Sequence, residues 1–351
     1  MLADSSCSLM GVRVAETGSG VTGLGNDEAV SLLHAAYPLL SMRHLELSRG
    51  PTPVRRLDTE PGFTDLPQTW VKDESTYGER GWGGNKVRKL EWILPEAARR
   101  GTRTLFTVGG IGTHWGLAAA LYGAEQGLRV VLGLVDQPVD DHVREQVARL
   151  YASGAIIHRF ADQRRLRLAA PLLIGRYRAW YLPAGGSNPI GTIGYVEAAL
   201  ELADQVVRGE VPEPGTVVVP LGSGGTTAGL VLGLRMAGLG SRVLGVVVND
   251  TFPLDGPVIA GLANKTLALL KTRGAPISMA GIKPEELDLR TDWLGRTYGD
   301  PTPESLAEVA AASQIGMQIE PVYTGKSLAA IRAVGHTLPG PILWLNTHGP
   351  R

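Results

Sequence analysis

Short apolar runs rich in β-branched residues alternate along this chain with segments that have the apolar spacing of helices. The strand-like runs lie at 104–108, 129–135, 155–160, 216–219, 242–248 and 341–345. The helical segments lie at 117–126, 141–151, 192–207, 227–236 and 303–313. Strands that are separated by helices form mostly parallel sheets, which helices cover on both faces. The sequence therefore predicts an α/β fold with parallel-rich sheets flanked by helices.

The length of the chain points to more than one domain. At 351 residues it exceeds what a single hydrophobic core usually serves. Hydrophobic residues make up 44% of the chain, which is enough for a sizeable buried core. We therefore expect two domains, or one domain that is split in sequence.

The charge of the chain is balanced, with 34 basic and 34 acidic side chains. The nearest approach to a basic cluster is formed by Arg164, Arg165 and Arg167, whose spacing is typical of a solvated helix face. Proteins that bind nucleic acid or a membrane surface usually carry a basic patch. Neither kind of partner is therefore expected.

Other features favour a cytoplasmic protein without a metal site. Asp4 and the lack of an uninterrupted apolar run argue against a signal peptide, and no apolar segment reaches transmembrane length. The single cysteine, Cys7, excludes an intramolecular disulfide and suits a reducing compartment. No metal-ligand spacing links the histidines outside the motifs below, which are His34, His44, His142, His158 and His336.

Lys86 lies between a glycine pair and the start of an amphipathic helix, in the segment Gly-Gly-Asn-Lys-Val-Arg-Lys-Leu-Glu at 83–91. An amine that must reach an aldehyde needs close backbone approach on one side and a rigid support on the other. Gly83 and Gly84 offer the first, and the helix from Val87 offers the second. A solvated basic run at a helix start remains the alternative.

A second motif has the features of a phosphate-binding loop. A β-branched strand runs into Gly222, Ser223, Gly224, Gly225 and Thr226, and an apolar helix follows. Backbone N–H groups and hydroxyls at such a helix start favour an anion. The loop is neither a P-loop nor a dinucleotide fingerprint. An ordinary tight turn is the alternative, but a non-nucleotide phosphate together with a reactive lysine suggests pyridoxal 5′-phosphate.

The motifs resemble those of one enzyme family along nearly the whole chain, from about residue 45 to residue 349. The chain is similar to pyridoxal-phosphate enzymes of fold type II, the tryptophan-synthase-β type. Within that group it most resembles 1-aminocyclopropane-1-carboxylate deaminase and D-cysteine desulfhydrase. The matching segments follow the family's order and lie at 45–53, 71–74, 83–91, 183–189, 222–226 and 321–326.

The resemblance implies a domain plan and a set of partners. A small domain at 89–186 is expected to be inserted into a large cofactor domain formed by 44–88 and 187–351. Residues 1–43 would be an N-terminal extension, in which 28–40 has the pattern of a short helix. The family also implies a small amino-acid substrate and a homodimer.

The resemblance assigns roles to individual residues. Lys86 would bind the cofactor aldehyde and transfer protons, with Asn85 supporting the lysine or the ring. The loop from Gly222 to Thr226 would bind the phosphate, and Thr347 would face the cofactor. Tyr323 would lie beside the substrate and act as an acid, a base or a nucleophile-like partner if its pKa were lowered, or else be an aromatic packed at a turn. Thr324 would contact the pyridine nitrogen, a position that is acidic in the deaminase branch, so the desulfhydrase-like branch is favoured.

One loop departs from the family pattern, which has Ser-Asn followed by Gln or His. Here Thr113 would replace the serine hydroxyl, while His114 stands at the asparagine position and Trp115 at the next. His114 would contact the cofactor or substrate and transfer protons, or else be a structural ring. Trp115 would fill space, so the substrate or its binding pose would differ from that of either named activity. His348, which replaces a glycine in the last turn, is expected to be an exposed loop residue, with a second-site group as the alternative.

Three functions remain open at this stage. The leading one is a pyridoxal-phosphate lyase or deaminase that converts a small amino acid to a 2-oxo acid and ammonia. The second is a β-replacement synthase, or another reaction of an unusual amino acid on the same fold. The third is an amino-acid-binding protein whose catalytic loop has decayed.

Overall fold

Two β-sheets with helices packed around them make up the computed structural model of the protein, which describes residues 31–78, 83–139 and 141–349. The helices of these residues are α1 (Leu32–Ala36), α2 (Val87–Arg99), α3 (His114–Glu125), α4 (Asp141–Ala152), α5 (Gln163–Tyr177), α6 (Pro189–Val207), α7 (Gly225–Met236), α8 (Gly256–Thr272), α9 (Pro303–Gln314) and α10 (Thr324–Val334). The strands are β1 (Val54–Arg56), β2 (Thr69–Asp73), β3 (Thr104–Gly110), β4 (Arg129–Val135), β5 (Ile156–Phe160), β6 (Trp180–Leu182), β7 (Thr216–Leu221), β8 (Arg242–Val247), β9 (Asp288–Arg290) and β10 (Ile342–Asn346).

The larger sheet has the strand order β1-β2-β10-β7-β8-β9, and the smaller one has the order β5-β4-β3-β6. Only β1 and β2 pair antiparallel, whereas every other neighbouring pair in both sheets is parallel. Parallel strands present their carboxyl ends at one edge, where ligands usually bind. The predicted α/β fold with parallel-rich sheets is confirmed.

The six predicted strands correspond to β3, β4, β5, β7, β8 and β10; the bounds of β4 match the prediction, and the ends of the others differ by at most two residues. Three of the strands that were not predicted, β1, β6 and β9, have only three residues each, which is too few for a hydrophobic period to show. The fourth, β2, has five residues and lies in a segment that was recognised only by its family resemblance.

The predicted domain boundaries stay predictions. The four strands of the smaller sheet all fall within 89–186, but the boundary at 88/89 cuts through α2. Part of the predicted N-terminal extension, residues 1–30, lies outside the described residues, as does Cys7. The short helix that was expected at 28–40 is present as α1.

Helix α2 crosses α6 with its main chain in contact. A Cβ atom on Gly194 of α6 would lie 2.1 Å from the carbonyl oxygen of Arg88, so only glycine permits this approach. The contact fixes the first turn of α2 against the helices that cover the larger sheet. Lys86, which immediately precedes α2, is therefore held by a rigid neighbour.

A buried ion network lies beside the same first turn. The Arg88 guanidinium is 1% exposed and donates to the carboxylates of Glu74 and Glu201. Lys72 Nζ donates to Glu201 Oε1 at 2.5 Å and to Gln205 Oε1 at 2.6 Å. Two cations thus face two carboxylates. Burial opposes the charge of Arg88, but Glu201 and Glu74 hold its pKa well above the usual value.

Candidate active site

A cavity of about 1160 Å³ lies where the carboxyl ends of strands from both sheets meet. Gly109 and Gly110 at the end of β3 contribute to one wall, and Gly222 and Asn249, which follow β7 and β8, contribute to another. The predicted site residues that line this cavity are Asn85, Lys86, Thr113, His114, Trp115, Gly222, Ser223, Gly224, Thr226, Tyr323 and Thr347. Gly225 and Thr324 are the two predicted residues that do not line it.

Lys86 lies at the amino end of α2 and lines the cavity. The turn before it depends on Gly84, which has a φ of +98° and packs so closely that a Cβ atom there would lie 2.9 Å from the carbonyl oxygen of His348. Burial lowers the pKa of Lys86 to about 8, against the opposing charge of Glu320. A substantial fraction of the amine is therefore neutral near physiological pH, which is the nucleophilic form.

The loop from Gly222 to Thr226 joins β7 to the amino end of α7. Gly224 has a φ of +91°, a conformation that suits glycine. Ser187 Oγ accepts a hydrogen bond of 3.0 Å from the backbone nitrogen of Gly225 and lies 2.9 Å from Ser223 Oγ. Backbone donors and hydroxyls therefore converge at the start of a helix, where a phosphate is favoured.

Lys89 lies beside this loop, although the sequence analysis did not select it. Its Nζ donates to the carbonyl oxygen of Gly185 at 3.0 Å, and a Cβ atom on Gly225 would lie 2.9 Å from the same Nζ. Burial, and then the charge of Lys86, hold the pKa of Lys89 well below its usual value. No carboxylate among the described residues forms an ion pair with Lys89. The i, i+3 spacing from Lys86 was the signal that could have found it.

This end of the cavity fits the phosphate of the cofactor suggested by the sequence. A Cβ atom on Gly225 would lie 2.8 Å from Ser187 Oγ and 2.9 Å from Lys89 Nζ. Glycine at this position therefore leaves the space beside the loop to these two polar groups. The charged form of a buried amine without a carboxylate partner is stabilised when an anion binds beside it. A phosphate at the start of α7 would supply that charge.

Tyr323 and Tyr298 form a pair of phenols on the cavity wall. Their hydroxyl oxygens are 2.8 Å apart, and their rings meet edge to face. The Tyr323 ring also packs on Gly222, where a Cβ atom would lie 2.5 Å from Cε1. Burial raises the pKa of Tyr323 well above its usual value, so its hydroxyl is protonated at neutral pH rather than ionised. Tyr298 was missed by the sequence analysis because a lone tyrosine in a loop has no periodic signal.

Thr324 is fully buried, and its hydroxyl is already hydrogen-bonded to Glu320. Thr324 Oγ1 donates to Glu320, whose carbonyl oxygen and Oε1 lie at 3.0 and 3.1 Å, and it accepts from Glu320 N at 2.9 Å. Glu320 itself lines the cavity. The predicted contact between Thr324 and a pyridine nitrogen stays a prediction, and in this structure Glu320 is the member of the pair that faces the cavity.

The loop that departs from the family pattern opens α3. Thr113 caps the helix by accepting a hydrogen bond of 3.1 Å from Gly116 N. Trp115 is 2% exposed, donates from Nε1 to Thr107 Oγ1 at 2.7 Å, and packs its ring against Gly186. The indole is therefore fixed in the wall of the cavity.

His114 and His348 approach each other from different parts of the chain. Their ring centroids are 6.3 Å apart, and a Cβ atom on Gly349 would lie 2.1 Å from His114 Nδ1. His348 is 8% exposed, so the expectation of an exposed loop residue is wrong. The turn at residues 348 and 349 packs closely against Gly84 on one side and against the His114 ring on the other.

Metal-ligand clusters and membrane-spanning helices are both absent from the described parts of the chain. Among these residues there is no group of three or more His, Cys, Asp or Glu side chains that could hold a metal ion. Within the same residues, every helix is too short or too polar to cross a membrane.

Comparisons with known proteins show which family the chain resembles along most of its length. Residues 45–347 match the family model described as pyridoxal-phosphate dependent enzyme. The D-cysteine desulfhydrase of Klebsiella pneumoniae (strain 342) is 31% identical over 324 residues, which covers 87% of this chain and 93% of that protein. The D-cysteine desulfhydrase of Serratia proteamaculans (strain 568) is 32% identical over 330 residues, covering 89% and 95%. The crystal structure of an ACC deaminase homologue has a TM-score of 0.74 and 26% identity, covering 90% of this chain and 94% of its own.

Proposed function

This chain belongs to the family of pyridoxal-phosphate dependent enzymes, and we propose that it is a lyase or deaminase which converts a small amino acid to a 2-oxo acid and ammonia. Its cofactor is pyridoxal 5′-phosphate. When bound, this cofactor supplies an electron sink that accepts the charge left when a bond of the amino acid breaks. The protein's residues must bind the reactants, orient them and move protons.

The observation that carries the proposal is the placement of Lys86. Its amine faces the cavity at the end of a fixed helix, and burial lowers its pKa to about 8. Such an amine can attach to the cofactor aldehyde and, once displaced by the substrate, can accept or return a proton. The protonated hydroxyl of Tyr323, which Tyr298 orients at 2.8 Å, is placed to donate a proton on another wall of the cavity.

The opposite end of the cavity would hold the cofactor phosphate. Ser223 and Thr226 would donate hydrogen bonds, Gly225 would let the phosphate approach the main chain, and Lys89 would supply positive charge. Asn85 and Thr347, which are both buried and line the cavity, would contact the ring. Thr113 and His114 at the start of α3 would contact the substrate carboxylate and the cofactor, with Trp115 as the supporting wall.

The two D-cysteine desulfhydrases favour elimination of a sulfur-containing leaving group, and the ACC deaminase homologue favours deamination. Both outcomes give a 2-oxo acid and ammonia, so they share one assay. We also propose that the protein is a cytoplasmic homodimer, as expected from its sequence and family resemblance. Size-exclusion chromatography with light scattering would test the dimer.

The proposed function predicts a yellow protein that releases 2-oxo acid from one or more members of a panel of D- and L-amino acids. Lys86→Ala should lose visible cofactor absorbance and more than about 1000-fold in kcat, because the attachment point and the proton carrier are both removed. Lys265→Ala, at an exposed lysine of α8, is the matched control and should behave as wild type.

Different failures have different meanings. A colourless wild type that captures no added cofactor would sink the assignment of Lys86. Spectral change on adding amino acids without release of 2-oxo acid would favour a binding protein. Formation of a new amino acid only when a second nucleophile is added would favour a synthase.

A further inference from the structure

Glu320 is a cavity residue to which neither the sequence motifs nor the proposed function has yet given a role. It lies four residues before the first residue of α10 and lines the same cavity as Lys86, Tyr298 and Tyr323. Its side chain is half-buried. A carboxylate in such a place has to be hydrogen-bonded or paired.

The carboxylate of Glu320 accepts hydrogen bonds from three successive backbone nitrogens. Oε2 accepts from Val322 N at 2.8 Å, while Oε1 accepts from Tyr323 N and Thr324 N, each at 2.8 Å. These nitrogens belong to the amino end of α10, where a negative side chain satisfies free N–H groups and complements the helix dipole. One carboxylate thus fixes the main chain from which the Tyr323 side chain projects.

The charge of Glu320 also acts on the groups around the cavity. Burial lowers the pKa of Lys86 and of Lys326, and in both cases Glu320 opposes that shift. Asp300 and Asp250 also act on Lys326, whose Nζ donates to the carbonyl oxygen of Leu294 at 2.6 Å. The phenols of Tyr298 and Tyr323, whose pKa values burial raises, feel the same negative charge. Glu320 and Lys86 line the same cavity, and the negative charge of Glu320 opposes the lowering of the Lys86 pKa.

We propose that Glu320 is a positioning residue of this site, whose carboxylate fixes the main chain that carries Tyr323 and supplies the negative charge that faces Lys86. The proposal rests on the function given above for Lys86 and Tyr323. It assigns two separable tasks to one side chain. The positioning task needs both the length of the side chain and two oxygen acceptors, whereas the electrostatic task needs only its charge.

Two variants of the cofactor-loaded protein separate these tasks. Glu320→Gln keeps the length but removes the charge, and its amide nitrogen cannot accept a hydrogen bond from an N–H group. Glu320→Asp keeps the charge but shortens the side chain by one methylene. Glu304→Gln, at an exposed glutamate in the first turn of α9, is the matched control. The readouts are the pH dependence of the visible cofactor absorbance and the separate values of kcat and KM.

In Glu320→Gln we expect the pH midpoint of the absorbance to fall by about one unit, because a nearby negative charge favours the protonated nitrogen at Lys86. We also expect kcat to fall about 100-fold with a smaller change in KM, because Tyr323 loses its fixed position. Glu320→Asp should keep the wild-type midpoint and still lose at least about 10-fold in kcat. Glu304→Gln should match the wild type in both readouts.

Wild-type midpoint and kcat in Glu320→Gln would overturn the proposal. A midpoint in Glu320→Asp that falls as far as in Glu320→Gln would overturn the electrostatic task, and a wild-type kcat in Glu320→Asp would overturn the positioning task. If Glu320→Gln does not fold, Glu320→Asp decides the positioning task alone. If the wild type releases no 2-oxo acid from any amino acid, the proposed function fails, while the absorbance readout still decides the role of Glu320.

Discussion

The first turn of α2 separates two kinds of buried positive charge. On one side, Arg88 and Lys72 are paired with Glu74 and Glu201 through hydrogen bonds of 2.5–2.9 Å. On the other side, Lys86 and Lys89 face the cavity and the phosphate loop, and neither forms an ion pair with a carboxylate of the described residues. Lys86, Arg88 and Lys89 lie within four residues of sequence but have different electrostatic surroundings.

Under the proposed function, the difference separates charges that serve the fold from charges that serve the chemistry. Burial lowers the pKa of Lys72 as well, but Glu201 and Glu74 oppose that shift, and buried cations paired with carboxylates hold elements together. A buried amine that lacks a partner has a lowered pKa and is ready for an anion or an electrophile. Sequence alone does not separate them, because Lys86, Arg88 and Lys89 appear as one basic run.

The largest effect is expected from breaking the paired side. In Arg88→Met, Glu74 and Glu201 would face one cation instead of two, and leaving buried carboxylates without a partner costs about 3–5 kcal/mol. We therefore expect a large fall in the urea midpoint of unfolding.

The control for this variant is Arg165→Met. The Arg165 side chain is 70% exposed and lies 3.5 Å from Asp162, and such surface pairs contribute at most about 1 kcal/mol. An Arg88→Met protein as stable as Arg165→Met would show that the ion network does not hold the fold.

A smaller effect, on cofactor binding rather than on stability, is expected from the unpaired side. Lys89→Met removes a buried amine without leaving a carboxylate unpaired, so the urea midpoint should not fall. The cofactor phosphate would lose a charged hydrogen-bond donor, which contributes about 1.5–3 kcal/mol. The dissociation constant of the cofactor, measured by absorbance titration, should rise about 10- to 100-fold.

Lys271→Met serves as the control for Lys89→Met, since Lys271 is an exposed residue of α8. A Lys89→Met protein that binds cofactor as tightly as this control would remove Lys89 from the phosphate site. One that loses as much stability as Arg88→Met would remove the distinction between the two sides of the turn.

The smallest expected effect is a pH dependence that belongs to the unpaired side only. The pKa of Lys86 is about 8, and its neutral form is the nucleophile. The rate at which cofactor-depleted protein captures added cofactor should therefore rise as the pH increases towards 8 and level off above it. Between pH 7 and pH 8 the neutral fraction grows about fivefold. A rate that is flat across this interval would show that the Lys86 amine is not partly protonated there.

The sequence predicted the parts of the molecule that leave a periodic or compositional trace. The β-branched runs that became β4 and β8 and the glycine-rich loop at 222–226 are local patterns, and the structure places them as the pattern requires. Lys86 was identified from its flanking glycines and helix start, which are also local. The family resemblance then connected these distant segments.

The residues that the sequence missed depend on tertiary contacts. Lys89 differs from an ordinary helix lysine only because Gly185 and Gly225 approach its Nζ. Tyr298 gains its role from the hydroxyl of Tyr323, and Glu320 from the turn of α10. His348 was misjudged for the same reason, since the contact of Gly349 with His114 buries it. None of these contacts is written in the local sequence.

The cavity takes its walls from two sheets, and this division affects how its specificity could be redesigned. Lys86, the phosphate loop and Tyr323 all belong to segments around the larger sheet, whereas Gln137, Arg167 and Tyr181 line the cavity from the smaller one. A mutant library restricted to the wall from the smaller sheet would vary the space offered to a substrate side chain. It would leave Lys86, the loop at 222–226 and the ion network unchanged. New substrates could then be selected while the proposed cofactor-binding residues stay the same.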